Sequence, residues 1–365
     1  MIAGFLVSGK RIFMPARTVA DWGGLHEYIE GASRSLVAAG NEVTVACASG
    51  LVADRVRATG ATVIEVDWAD WKPVGDLLRT SDRYDIVFAH ASGARDLALY
   101  VNEAWGADLY VMCHGAFHDY VYTWSDKVTA FLAASPSLVD FLVRIGKVDP
   151  WRVEMVANGV PDHVLEMPLK TLEEKLSDGV GRIVMASRIA QDKSAQFPVA
   201  REVLLACQQA IPNVKWQLDV LGDGPLRPRM EREMGRFAAS HGLDVNFAGW
   251  VPPEEVPIRM NSAVIGLVAG MGGIRTLAAG ALCVGVGARD NVGLQVGQNL
   301  RAGLWSNFGD HGCPQFTATP IADDIRTYLR TGPYEEAQQI GRLAVKRARA
   351  ASVVDGALLS ALQAG

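Results

Sequence analysis

One stretch constrains the fold more than any other: Val264 to Gly287, VIGLVAGMGGIRTLAAGALCVGVG. It reads as strand, glycine loop, helix, strand. That is the repeating unit of a doubly wound parallel sheet, whose strands are covered on both faces and so read as continuous apolar runs. Glycines 270, 272 and 273 fall where backbone N–H groups at a helix start can approach an anion. Seven glycines and Arg275, the stretch's only charge, weigh against a membrane span. Such a span needs about 20 consecutive apolar residues.

The same alternation runs along the chain. In the first half, Ile2–Val7 is an apolar run, read as a first buried strand, and a long loop follows to Trp22. Gly24–Ala39 has helical periodicity, with Leu25, Ile29, Ala32, Leu36 and Ala39 on one side and Gly40 at the C-cap position. EVTVAC (42–47), Thr62–Val66, YDIVFA (84–89), DLYVMC (108–113), Ala130–Ala134 and Arg152–Ala157 read as strands. Ser135-Pro136 starts a helix. Pro161–Val180 is polar and aperiodic, and reads as a linker. The alternation restarts with strands at Arg182–Ala186, Trp216–Leu221 and Val245–Ala248, and ends in helices at Tyr334–Ala351 and Val353–Ala364.

A chain of 365 residues with 49% apolar and 21% charged residues has the material for two domains with large cores. Its net charge of -5 gives no bulk basic surface for nucleic acid. Five scattered cysteines form no metal-binding or disulfide pattern, which points to reduced thiols in the cytoplasm. The short apolar start lacks the length and cleavage site of a signal peptide.

Ligands of open α/β sheets bind beyond the carboxyl ends of the strands. Gly23-Gly24, before the first helix, suits a phosphate or simply a tight turn. Arg188 and Lys193 lie on a loop after a strand and suit a diphosphate, the Arg as a fork and the Lys as a point charge; solvated surface cations are the plain reading. Gly222 in GDGP allows a close turn. Trp250 and Val251 can line a base pocket or pack. Gly272 and Gly273 belong to the anion-cradle loop. His90 and His114 each end a strand of the first half, and His118 follows on the same loop as His114. Phe13, Tyr120, Tyr122 and Trp124 can stack on a sugar or base, or pack beneath their loops.

Taken in order, these segments resemble the retaining glycosyltransferases of GT-B fold, family 4. The matching segments are GGLHEYIEGASRSLVAAGNEVTV, YDIVFAH, VMCHG, VEMVANGVPD, SRIAQDKS, LDVLGDGP, VNFAGWVPPEE and RTLAAGALCVG. The resemblance implies an α/β fold of two Rossmann-like doubly wound domains facing a central cleft. It implies an acceptor-binding domain over 1–165, a linker over 166–180 and a nucleotide-sugar domain over 181–332. Helices over 333–365 would close the chain, with packing back on the first domain left open. It implies transfer of a sugar from a nucleotide diphosphate, most often UDP, with retention and no cofactor or metal. The sequence has no Asp-x-Asp triplet. His114 would face the reacting centre. Arg188 and Lys193 would stabilise the leaving diphosphate, with Gly23 and Gly24 against it, and Trp250 and Val251 beside the base.

The sequence departs from the family in one respect. The family carries two glutamates separated by seven residues; here Arg275 stands in the second position, and no acid lies between Asn261 and Arg289. A guanidinium cannot accept a hydrogen bond from a hydroxyl. Asp290 and Asn291, just past the next strand, are candidate replacements. Three readings stay open: a transferase with an unusual donor, a non-catalytic partner protein that keeps the fold, and a nucleotide-sugar epimerase. The acceptor (glycan, natural product or modified nucleotide) and the oligomeric state are not legible.

Overall fold

A computed structural model describes residues 7–18, 22–90 and 93–363. The chain divides into two compact units, one of Met1–Asn158 with Ser352–Gly365 and one of Gly159–Ala351.

The first unit runs β1 (Arg11–Pro15), α1 (Gly24–Ala38), β2 (Glu42–Cys47), α2 (Leu51–Arg57), β3 (Thr62–Glu65), α3 (Lys72–Arg79), β4 (Ile86–His90), α4 (Arg95–Trp105), β5 (Asp108–Cys113), β6 (Ala130–Ala133), α5 (Pro136–Arg144) and β7 (Val153–Met155). Its sheet is parallel, in the order β3-β2-β1-β4-β5-β6-β7. The order turns back between β1 and β4, which makes their carboxyl ends the topological switch point.

The apolar run read as the first strand falls mostly on residues 1–6, outside the described residues. The first described strand is β1, inside the stretch expected to be a loop. Ile12, Phe13 and Met14 are completely buried there. Phe13 packs on Tyr84 and edge-on to Trp105, with ring centroids 5.5 and 5.4 Å away, so it is a core residue and cannot stack on a ligand. α1 buries the face of Ile29, Ala32 and Leu36. α5 starts as its sequence predicts: Pro136 opens it, and the Ser135 hydroxyl accepts the Leu138 N–H at 3.3 Å.

The second unit runs α6 (Asp162–Leu165), α7 (Leu172–Lys175), β8 (Val180–Ala186), α8 (Gln196–Ala210), β9 (Lys215–Leu221), α9 (Arg227–His241), β10 (Asp244–Gly249), α10 (Glu255–Ser262), β11 (Ile265–Val268), α11 (Met271–Ala279), β12 (Leu282–Val286), β13 (Asn291–Leu294), α12 (Gly297–Ser306), α13 (Ile321–Tyr328) and α14 (Pro333–Arg349). The sheet order is β10-β9-β8-β11-β12-β13, with the switch point between β8 and β11. β13 is the exception to the parallel pattern and runs antiparallel to β12.

The polar segment read as a linker contains two helical turns. α7 opens with a capping box between Thr171 and Glu174. It ends on Lys175, a buried lysine whose Nζ donates to the carbonyls of Ala263 and Gly280, each at 2.6 Å. Those residues are the C-caps of α10 and α11, whose last carbonyls lack intrahelical partners.

The last helix, α15 (Ala351–Ala361), belongs to the first unit apart from its first residue. Leu358, Leu359 and Leu362 enter that unit's core, and the Val7 N–H reaches the Leu359 carbonyl at 3.4 Å. Among the described residues no helix is long and apolar enough to cross a membrane.

Candidate functional site

In the second unit the loop after β8 and the start of α11 meet at the switch point, where a Cβ on Gly272 would lie 3.5 Å from the Ala186 carbonyl. The loop after β8 carries Arg188 and Lys193. Its backbone is braced by the GDGP turn after β9: the Ser187 N–H donates to Leu221 and the Ile189 N–H to Asp223, at 3.1 and 2.9 Å. Gly222 and Gly224 make the approach possible. A Cβ on either would lie 2.0 Å from the Ser187 carbonyl or 2.6 Å from that of Ile189. Gly222 therefore serves the site by letting two loops touch. Arg188 is half exposed and pairs with Asp192 at 3.0 Å. Lys193 is mostly buried and pairs with Asp310, from the loop after α12.

Opposite them, β11 ends in Ala269-Gly270 and α11 begins. Gly270 has φ 55°, in the left-handed region that favours glycine, and the positive end of α11 follows it. The glycines after it serve packing. A Cβ on Gly273 would lie 2.3 Å from the Phe308 ring, and one on Gly272 would lie 2.9 Å from Val268. The Gly272 and Gly273 N–H groups donate within the turn to Ala269 and Gly270, both at 3.0 Å. Gly270 itself is buried, and its N–H is taken by the Asn307 carbonyl at 3.1 Å.

The residues proposed to replace the missing acids are engaged locally. The Asp290 carboxylate accepts the Cys313 N–H at 2.5 Å, and the Asn291 side chain accepts the Gly293 N–H at 3.0 Å. Burial pushes the Arg275 guanidinium down to about 10. Trp250 is half exposed, whereas Val251 packs against the core that includes Val256 and Met260. The acid that the structure does bring to the β11–α11 loop is Asp310, which local spacing did not nominate. Only the glycine-flanked turn in SNFGDHG hinted at a shaped loop there.

In the first unit, His90 ends β4 at the switch point and bridges to Ala16, next to the end of β1. His90 Nδ1 lies 2.9 Å from Nε2 of His114, which follows β5, and the two rings stack at an angle of 14°. Tyr28 of α1 sets its ring edge-on to both. Burial pushes His90 down to about 3, so it is neutral at physiological pH. Its Nε2 has no hydrogen-bond partner among the described residues. Gly23 caps α1, with no side-chain cap and nothing within 4 Å of where its Cβ would stand. Gly24 beside it is exposed, so the helix start lies open.

The loop after His114 borders a small pocket of about 20 Å³, lined by His114, Phe117, Asp119 and Trp124 among others. Trp124 is a buried anchor: it packs on Phe131, and its indole N–H donates to the Asp119 carbonyl at 2.9 Å. His118, Tyr120 and Tyr122 form a cluster of edge-on rings, with both tyrosines more than half exposed. Among the described residues no group of three or more His, Cys, Asp or Glu is placed to hold a metal ion.

Residues 22–164 match the family model described as Glycosyltransferase Family 4. No curated protein matches the chain. Solved structures do. A glycosyltransferase from Rickettsia africae is 15% identical with a TM-score of 0.69, over 95% of this chain and 96% of its own. Anabaena Alr3699/HepE, in complex with UDP-glucose, is 12% identical with a TM-score of 0.72, over 98% and 100%. The lipopolysaccharide outer core galactosyltransferase WaaB is 15% identical with a TM-score of 0.59, over 95% and 97%. Two doubly wound units with these neighbours define the GT-B fold of the glycosyltransferases. The chain shares that fold, and its residues 22–164 resemble glycosyltransferase family 4.

Proposed function

We propose that this chain moves a sugar from a UDP-sugar donor to an acceptor hydroxyl, with retention and without a metal ion, in the cytoplasm. The observation that carries the reading is the second unit's switch point, where Arg188, Lys193 and the start of α11 converge at the carboxyl ends of β8 and β11. Negative charge grows on the diphosphate as the glycosidic bond breaks. Fixed cations there stabilise the transition state more than the ground state. The UDP-glucose held by the Anabaena neighbour supports the choice of donor class. His114, oriented by His90, would face the reacting centre, and the exposed Tyr120 and Tyr122 would meet the acceptor.

The test is turnover of a UDP-sugar panel by the wild type, Arg188→Ala and Lys193→Ala. Each variant should lose about 10²-fold or more in kcat while its melting temperature holds. Wild-type turnover in both variants would sink the diphosphate assignment.

A further inference from the structure

Asp310 is built into the switch point of the second unit. Its Oδ1 takes the Lys193 ammonium and accepts the Ala288 N–H at 3.0 Å. Its Oδ2 accepts no hydrogen bond among the described residues. That oxygen lies 2.9 Å from where a Cβ on Gly270 would stand, beside the start of α11. One carboxylate thus touches three loops: those after β8, β11 and β12.

The loop that carries it is fixed. Gly309 accepts the N–H groups of Arg289 and Asp290, both at 3.0 Å. A Cβ on Gly287 would lie 2.2 Å from the Asp310 nitrogen, and one on Gly309 would lie 2.1 Å from the Asp290 carbonyl. The Gly270 N–H donates to Asn307 at 3.1 Å, and the Gly309 N–H to the Ser306 hydroxyl at 3.0 Å. A carboxylate on so braced a turn does not swing away when a ligand arrives.

A fixed anion beside a diphosphate-binding lysine repels phosphate. Its retention there calls for a ligand group that donates to it. Oδ1 is occupied and Oδ2 is open, so the open oxygen meets the ligand. Diphosphate oxygens are acceptors only, whereas the hydroxyls of an attached sugar donate. Resting on the donor reading above, we propose that Asp310 is a specificity-determining residue: Oδ1 positions Lys193 for the diphosphate, and Oδ2 accepts a hydroxyl of the donor sugar. The acid absent from residues 262–288 is supplied by the loop after α12.

The test is titration calorimetry with UDP, UDP-glucose, UDP-galactose and UDP-N-acetylglucosamine on the wild type, Asp310→Asn and Asp310→Glu. The amide of Asp310→Asn still accepts from Ala288. It should bind UDP at least as tightly as the wild type, since a negative charge is gone. For the sugar nucleotide that the wild type binds best, the ratio of its Kd to that of UDP should rise about tenfold or more, the loss expected for a hydrogen bond to a charged acceptor. Asp310→Glu keeps the charge but displaces the oxygens by a methylene, and should raise the same ratio. If Asp310→Asn fails to fold, Asp310→Glu decides. A ratio unchanged in the folded variants makes Asp310 a mere counter-ion of Lys193 and overturns the inference alone. Wild-type binding of neither UDP nor any sugar nucleotide overturns the transferase reading, and the inference falls with it.

Discussion

His90 shows how one buried side chain both supports a site and sets an acid limit on the fold. It ends β4 completely buried, and among the described residues its side chain hydrogen-bonds to the imidazole of His114. Because one ring nitrogen must donate and the other accept, the tautomer of His90 dictates that of His114. Burial favours the neutral ring and pushes its pKa down to about 3 from 6.5. The sign follows from linkage. As pH falls below 6.5 the unfolded state takes up a proton that the folded state refuses, so stability is lost between pH 6.5 and about 3. The slope reaches about 1.4 kcal/mol per pH unit. His90→Asn keeps a polar group near Nδ1 and removes the titration. Urea unfolding at pH 7.5 and 5.0 should show the wild type losing about 2 kcal/mol more than this variant. Equal losses would mean that the ring takes up its proton in the folded state.

At the scale of elements, α7 shows what a short helix can do that its sequence does not announce. Lys175 serves the C-termini of α10 and α11, and burial pushes its ammonium down to about 7 from 10.5. A neutral amine has two N–H donors, matching the two carbonyls. The unfolded state holds the extra proton between pH 7 and 10.5, so stability rises with pH across that window. Chemical denaturation should find the wild type about 2–3 kcal/mol more stable at pH 9 than at pH 7, and Lys175→Met flat over that range. The same variant should unfold about 1–3 kcal/mol more easily at pH 9, because it leaves a buried carbonyl unpartnered. Elements with an apolar stripe or run of their own were legible: EVTVAC is β2, DLYVMC is β5, and Ser135-Pro136 opens α5. α6 and α7 are four residues each, too short for a period to show. β1 was obscured because a longer apolar run precedes it, and the antiparallel turn into β13 has no counterpart in a parallel pattern. The loop with Arg188 and Lys193 was readable from its place after a strand. Asp310 was not, because only the packing of loop 307–313 on loop 287–290 brings it to the site.

At the scale of the whole molecule, the order of the chain and the order of the cores differ. The first unit has one core, and the second is built on separate clusters around its own sheet. The chain leaves the first unit at Asn158 and completes the second, with Val160 pairing beside Ala350. It then contributes α15 to the first unit's core through Leu358, Leu359 and Leu362. The first unit is therefore incomplete until α15 is made, and its stability depends on side chains about two hundred positions beyond the end of its main segment. Leu358 is 2% exposed, so Leu358→Ala removes buried methyl groups and leaves a cavity. That should cost about 2–5 kcal/mol. The cost should fall on the first unit although the mutation follows the second in sequence. Hydrogen exchange read by mass spectrometry separates the outcomes. Amides of β1, β4 and β5 should lose protection in Leu358→Ala while those of β8, β9 and β11 keep theirs. Equal loss in both sheets would mean that the two cores unfold as one cooperative body rather than as two.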